Sequence, residues 1–180
     1  YTSLFQGAFG SISGFTQTLV TATPLLLVGL GVTIAFRGGV INIGGEGQLI
    51  VGALASSAAA LYLPLPGVLL LIAALIAGVL GGALWGAVPG ALKAQLGVNE
   101  ILSTIMMNQI AIQLANYLLR GPMIDPKEIE AGTRIAQSAL LPADAWLMRL
   151  VPKSLLLAGA ILAVLAAIGV FFLLWRTTIG

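Results

Sequence analysis

The charged residues of this chain are grouped so that long stretches carry none at all. They make up 8% of the 180 residues, against roughly 25% in an average soluble domain. The uncharged stretches are residues 1–36, 47–92, 101–119 and 154–175. Each holds one or two segments near the roughly 20 apolar residues that a membrane-spanning helix needs. This pattern predicts a chain that folds in a bilayer, where helices satisfy their own backbone polar groups.

The remaining composition excludes several functions. Hydrophobic residues make up 59% of the chain, and the mean hydropathy is +1.07. The chain has no cysteine and no histidine, so it lacks disulfides, the commonest general base and the commonest metal ligand. A formal charge of +2 is too small to indicate a nucleic-acid partner. We therefore predict a lipid bilayer as the surroundings, with no nucleic acid, metal site or cofactor.

Apolar runs and helix breakers together predict an all-α, polytopic transmembrane bundle in a single domain. Its five spans are residues 18–36, 48–63, 68–92, 101–119 and 154–175. Residues 120–153 hold nine of the fourteen charges and four prolines. That segment is therefore predicted to be one long aqueous loop carrying one or two short helices. Prolines in residues 63–67 predict a tight turn between the second and third spans.

A glycine-rich polar segment, residues 35–48, interrupts the apolar sequence and contains Arg37, Asn42 and Glu46. One interpretation is an ordinary cytoplasmic loop, with Asn42 in a turn or cap and Glu46 at a helix start. The other is a broken helix whose exposed carbonyls and amides coordinate a solute, as in transporters with discontinuous helices. The density of glycine favours the broken helix, because an ordinary loop would not require it.

The fourth predicted span is unusually polar. Its first turns contain Asn99, Glu100, Ser103, Thr104 and Asn108. A second set recurs at helical spacing along one face and consists of Gln109, Gln113, Asn116 and Arg120. These amides either hydrogen-bond to neighbouring helices, at about 0.6 kcal/mol each, or line a pathway for a polar solute. Glu100 favours the second interpretation, because an ionisable group at membrane depth is costly and usually faces a cavity or a partner.

Small residues recur every fourth position along the third predicted span. The stripe consists of Ala74, Gly78, Gly82, Gly86 and Gly90. In lipid, such a stripe lets two helix backbones approach closely enough for dispersion contacts to hold them together. We predict that Gly78, Gly82, Gly86 and Gly90 pack against a neighbouring helix.

Catalytic motifs are missing from the sequence. No lysine follows a glycine, so there is no phosphate-binding P-loop, and without histidine or cysteine there is no thiol nucleophile or Ser-His pair. The chain is predicted not to be an enzyme. If ATP powers its function, a separate subunit hydrolyses it.

Two motifs carry a resemblance to a known family. Residues 36–48 and 97–108, followed by Arg120-Gly-Pro122, resemble the permease subunits of bacterial ABC importers for nucleosides and simple sugars, in the ribose and branched-chain amino-acid permease superfamily. The similarity covers essentially the whole chain. The two motifs, in this order and about fifty residues apart, are specific to that family, whereas the glycine stripe is not.

The resemblance implies a multi-pass subunit of the bacterial plasma (inner) membrane. It implies three kinds of partner: a second permease subunit, cytoplasmic ATPase subunits and an extracellular or periplasmic substrate-binding lipoprotein. Family members are about twice as long, so the chain is expected to be a fragment or a half-size permease. The family topology places Arg176 and both motifs on the cytoplasmic side and residues 120–153 outside. A count of basic residues alone would favour the opposite orientation.

We therefore predict a permease subunit that forms the translocation pathway for a nucleoside or simple sugar. The residues chosen for the pathway or its cytoplasmic gate are Asn42, Glu46, Gln48, Asn99, Glu100 and Asn108. Two other functions remain open: half of a secondary transporter or channel that works without ATP, and a membrane packing or assembly subunit with no pathway of its own.

Overall fold

The computed structural model describes residues 1–147 and 158–176. Within these ranges the chain is helical and contains no β-strand. Seven α-helices and one short 3-10 helix follow each other along it: α1 (Thr2–Phe9), α2 (Ile12–Arg37), α3 (Gly45–Tyr62), α4 (Gly67–Leu96), α5 (Glu100–Arg120), α6 (Pro126–Glu130), the 3-10 helix (Ala143–Ala145) and α7 (Gly159–Arg176). The predicted all-α helical bundle is confirmed.

The chain divides into two compact units. The first unit, Tyr1–Val40 with Leu147–Gly180, contains α1, α2 and α7. Within it α2 packs against α7, and α1 folds back on the start of α2. Ser11 caps α2, its hydroxyl accepting a hydrogen bond from the Gly14 amide at 3.0 Å. Pro24 lies inside α2, a position that membrane helices tolerate.

The second unit, Ile41–Trp146, is built on α3, α4 and α5, which contact one another pairwise. A short proline-rich turn joins α3 to α4, which makes the two helices antiparallel neighbours. The contact between α3 and α4 is the most extensive one between described helices, and it includes Gly52 and Gly78. A Cβ added to Gly52 would lie 2.9 Å from the Gly78 carbonyl oxygen. The two backbones therefore touch, as small residues permit between helices in lipid.

The structure places a helix over every predicted span, although residues 154–157 of the last one lie outside the described ranges. Three of the described helices are long and apolar enough to cross a membrane by length and composition: α2, α4 and α7. The other two, α3 and α5, carry more polar residues. The helix α2 begins at Ile12 rather than at residue 18, because the Ser11 cap, which lies before the apolar run, starts it.

The predicted aqueous loop contains α6 and the 3-10 helix, while residues 148–153 fall outside the described part. Asp125 caps α6 by accepting a hydrogen bond from the Lys127 amide at 3.0 Å. The loop is tied to the α3–α4 turn, since the Tyr62 hydroxyl donates to the Pro122 carbonyl at 2.9 Å and the Gly67 amide donates to Asp144 at 3.3 Å. The second unit therefore has a loop end and, opposite it, an end where α3 and α5 begin.

Candidate functional site

The end of the second unit opposite the loop gathers the polar residues singled out from the sequence. The chain leaves α2 at Arg37 and enters α3 at Gly45, with irregular backbone between them. Near the end of this connection the Asn42 side-chain oxygen accepts a hydrogen bond from the Gly44 amide at 2.8 Å. This is a local turn of the kind that asparagine favours. Asn42 therefore shapes the entry to α3.

Asn108 joins this connection to α5. Its side-chain nitrogen donates to the Ile43 carbonyl at 3.0 Å, and its oxygen accepts from the Gly47 amide at 2.8 Å. The residue is only 7% exposed. The buried Asn108 amide thus pairs with both the Ile43 carbonyl and the Gly47 amide. Without it, the irregular backbone would leave the carbonyl unpaired and the helix start would leave the amide unpaired.

Glycine permits a close approach where the connection meets α5. A Cβ on Gly47 would lie 2.9 Å from the Asn108 side-chain oxygen and 3.0 Å from the Trp85 indole nitrogen. At Gly44 it would lie 3.2 Å from Cβ of Thr104. These two glycines let the start of α3 approach α5 closely enough for the Asn108 hydrogen bonds to form.

Trp85 belongs to this site and was not predicted from the sequence. Its indole nitrogen donates to the Met107 carbonyl of α5 at 3.3 Å, so it links α4 to α5 beside Asn108. A sequence signal was present, because a tryptophan N–H usually finds a partner when it is buried. Trp85 also lies three residues after Gly82 of the stripe, a spacing that puts both on the same side of α4.

Gln48, a residue of α3, packs against α4. Its side-chain nitrogen lies 2.6 Å from where a Cβ on Gly86 would be, and its backbone carbonyl lies 3.1 Å from the corresponding position on Gly82. Gln48 is therefore in contact with the glycine stripe, and its half-buried side chain covers the space that the missing side chain of Gly86 leaves.

Asn99 and Glu100 form the start of α5. The Asn99 side-chain oxygen accepts hydrogen bonds from the amides of Ile101 and Leu102, at 3.0 and 3.2 Å, which is an N-cap. Glu100 pairs with Lys93 of α4 at 2.7 Å. Glu100 precedes the predicted span, and the hydrogen bond from Lys93 lowers the pKa of its carboxyl group below the ordinary value. The pair bridges the tight turn that Gly97, with φ +65°, makes between the helices.

Glu46 differs from Glu100, the other acidic residue predicted for the site. It lies exposed in the first turn of α3, and among the described residues its carboxylate has no hydrogen-bond or ion-pair partner. The helix dipole favours a carboxylate at this position. Glu46 is thus a free negative charge beside a network of neutral amides.

The glycine stripe lies partly within the α3–α4 contact. Gly78, Gly82 and Gly86 face α3, each with an atom of α3 within 3.3 Å of an added Cβ. Gly90 lies outside the contact, with nothing within 4 Å of its added Cβ. Gly81, which is not part of the predicted stripe, does face α3, because its Cβ would lie 2.7 Å from Ala55.

A second polar surface runs along α5 away from this site. We call it the amide face, consisting of Gln109, Gln113 and Asn116. All three are exposed, whereas Thr104, Asn108 and Ala111 on the opposite side of the helix are buried. Their side chains make no hydrogen bond within the described ranges. The first turns of α5 therefore use their polar groups inside the fold, whereas the amide face does not.

The polar side chains at the site form hydrogen bonds and one ion pair within the fold. No group of three potential metal ligands occurs in residues 1–147 and 158–176. In the same ranges every buried side-chain nitrogen or oxygen has a hydrogen-bond partner. The cluster thus holds helix ends together through neutral amides, with one free carboxylate at its edge.

Comparison with known proteins gives a consistent match. Residues 14–180 match the family described as branched-chain amino acid transport system / permease component. Over its whole length the chain is 39% identical to a guanosine ABC transporter permease protein of Bacillus subtilis, covering 51% of that protein. It is 37% identical to a glucose ABC transporter permease protein of Haloferax volcanii, covering 49%. It is 33% identical to a nucleoside ABC transporter permease protein of Lactococcus lactis, covering 50%.

The chain therefore spans about half the length of these curated relatives. No solved structure matches it.

Proposed function

Because the chain belongs to the family of branched-chain amino acid transport system permease components, we propose that it forms part of the translocation pathway of an ATP-driven importer. The proposed solute is a nucleoside or a simple sugar. One observation carries this proposal: three proteins named as ABC transporter permeases, for glucose, guanosine and nucleosides, align with the whole chain. Three apolar helices of spanning length and the family match make it a multi-pass membrane protein.

The importer requires partners that supply what this chain lacks. The relatives are named as ABC transporter permeases, and the sequence has no P-loop. We propose that cytoplasmic ATPase subunits hydrolyse ATP and that a second permease subunit forms the other half of the pathway. An extracellular or periplasmic substrate-binding lipoprotein would deliver the solute. The proposed location is the bacterial plasma membrane.

The six predicted residues take two proposed roles at the cytoplasmic gate. Asn42, Asn99 and Asn108 fix the ends of α3 and α5 through their hydrogen bonds, and Gln48 seats α3 on α4. The Lys93–Glu100 pair fixes the turn between α4 and α5. Glu46, which has no partner in the described part of the chain, is the group we propose to face the solute or a moving partner.

The relatives do not favour the other two functions considered. A secondary transporter or channel could use the same helices without ATP, and an assembly subunit would need no pathway. Neither is named among the similar proteins. The subunits that copurify with the permease would distinguish both functions from an ATP-driven importer.

Copurification tests the proposal. The tagged permease that contains this chain would be solubilised from its native membrane in mild detergent and its associated proteins identified, with an unrelated tagged membrane protein as control. We expect an ATPase subunit and a second permease subunit in the complex. A permease recovered with neither would contradict an ATP-driven importer.

A further inference from the structure

The amide face of α5 is the polar surface that the fold leaves unused. Gln109, Gln113 and Asn116 are spaced by four and three residues along α5, so they point in one direction. All three are exposed, and none has a side-chain partner in the described ranges. By contrast, the buried polar residues Thr104 and Asn108 of the same helix are hydrogen-bonded inside the unit.

Lipid is a poor neighbour for this face. Primary amides have two donors and an acceptor each, and transfer of such groups into hydrocarbon without hydrogen bonds is costly. Polar side chains in a spanning helix therefore face a protein neighbour or water. Since the neighbours within the second unit, α3 and α4, lie on the other side of α5, the face must meet water or another protein segment.

The chemistry of the face selects between kinds of solute. It contains no ionised group between Ile101 and Leu119, and Arg120, which continues the same face, lies at its end. Gln109, Gln113 and Asn116 themselves therefore offer no charge to bind an anion or a cation. A carboxamide presents a donor beside an acceptor, which matches adjacent hydrogen-bonding atoms such as those on the edge of a purine or the neighbouring hydroxyls of a sugar.

We propose that the amide face lines the water-filled part of the pathway and binds an uncharged solute with adjacent donors and acceptors. This inference rests on the proposed function and adds a solute contact in the middle of α5 to the one proposed at the gate. Nucleosides and sugars share the required chemistry, and the experiment separates them.

Cysteine labelling tests the proposal against a background without native cysteine in this chain. Gln109→Cys, Gln113→Cys and Asn116→Cys would be introduced singly into the permease that contains this chain, in membranes permeabilised so that the reagent reaches both sides. The probe is a charged, membrane-impermeant thiol reagent. Two controls are matched: Ala111→Cys on the same helix but fully buried, and Val79→Cys on the exposed apolar surface of α4.

The expected result is rapid labelling of the three amide-face cysteines and slow labelling of both controls. Saturating guanosine or glucose should slow labelling at the amide face, and the solute that does so identifies the substrate class. In a separate uptake assay, Gln113→Leu should raise the half-saturating concentration about fivefold, the value of one net hydrogen bond.

Three results would overturn the proposal. Unreactive cysteines on the amide face would mean that another protein segment covers it. Equal labelling of Val79→Cys would mean that the face is no more accessible to water than the apolar surface. Labelling that neither guanosine nor glucose slows would exclude solute binding there. A different result would contradict only the proposed ATP-driven import: the amide-face cysteines are labelled, the solute slows that labelling, and uptake does not require ATP. The proposal that the amide face binds solute would then still hold.

Discussion

Asn108 illustrates how one side chain can replace missing backbone partners at the residue scale. The chain between α2 and α3 is irregular, and a helix start leaves its first amides without intrahelical partners. Asn108 donates to Ile43 and accepts from Gly47 at the same time. Its amide is therefore hydrogen-bonded within the fold, whereas the Glu46 carboxylate nearby has no hydrogen-bond or ion-pair partner in the described part of the chain.

This difference predicts opposite consequences for two substitutions. Glu46→Gln removes a charge but keeps the shape, so the free energy of unfolding should change by less than about 1 kcal/mol, while uptake falls steeply. Asn108→Ala leaves the Gly47 amide and the Ile43 carbonyl unpaired and should cost about 1–3 kcal/mol of stability. Thermal melting of the purified permease and uptake per molecule in the membrane measure the two effects.

Gln109→Ala is the matched control for stability, because Gln109 adjoins Asn108 but is exposed and has no partner in the described ranges. Its melting temperature should stay close to that of the unmodified protein. If Glu46→Gln lowered membrane abundance in proportion to uptake, Glu46 would be a structural residue and the gate assignment would be wrong.

At this scale the sequence identified the residue types better than their roles. It placed Asn42, Asn99 and Asn108 at the site, but a sequence does not show which backbone groups lie within reach of an amide. The partners of Asn108 are more than sixty residues away along the chain. The contact between Trp85 and α5 depends on the packing of α4, which the residues around Trp85 do not specify.

At the scale of elements, the α3–α4 contact depends on glycine at particular positions. A Cβ on Gly52 would lie 2.9 Å from the Gly78 carbonyl oxygen, a backbone atom that cannot swing aside, whereas a Cβ on Gly90 would meet nothing within 4 Å. The same substitution should therefore have opposite effects at the two positions.

Gly52→Ala should lower the free energy of unfolding by about 1–3 kcal/mol, the usual cost of overpacking. Gly90→Ala should raise it by about 0.5–1 kcal/mol, because alanine is the better helix former. Thermal melting of both variants in the same detergent measures the difference. Equal shifts would show that α3 and α4 are not in backbone contact at Gly52.

The elements themselves follow largely from the sequence, because apolar runs, prolines and caps are local signals. The four-residue period of small residues marks one side of α4, and Gly78, Gly82 and Gly86 on that side lie against α3. It also includes Gly90, which lies beyond the contact, and leaves out Gly81, which lies within it. A period marks a direction on a helix, but where the contact ends depends on the partner, and α3 begins only at Gly45.

At the scale of the whole molecule, the orientation in the membrane is the least constrained property. Basic residues are concentrated in the 120–153 loop, which the positive-inside tendency would place in the cytoplasm. The resemblance of residues 36–48 and 97–108 to the permease family implies instead that it lies outside. We propose the second orientation, with Arg37, Lys93 and Arg176 facing the cytoplasm.

Single cysteines at Ala131 and Ala143, both exposed in the loop, decide the orientation. An impermeant thiol reagent added to intact cells should label Ala131→Cys and Ala143→Cys, because the loop is outside. Lys93→Cys is the control for the other side and should react only after lysis. Labelling of both loop positions only after lysis would reverse the topology.

The energy source for uptake distinguishes an ATP-driven importer from a secondary transporter. The permease that contains this chain, purified with its associated subunits, would be reconstituted into liposomes together with its substrate-binding protein. Uptake of labelled guanosine and glucose would then be measured with ATP on the cytoplasmic side. A non-hydrolysable ATP analogue and ion gradients without nucleotide serve as controls. The expected result is uptake of one of these solutes that requires hydrolysable ATP. Uptake driven by an ion gradient without ATP would contradict it.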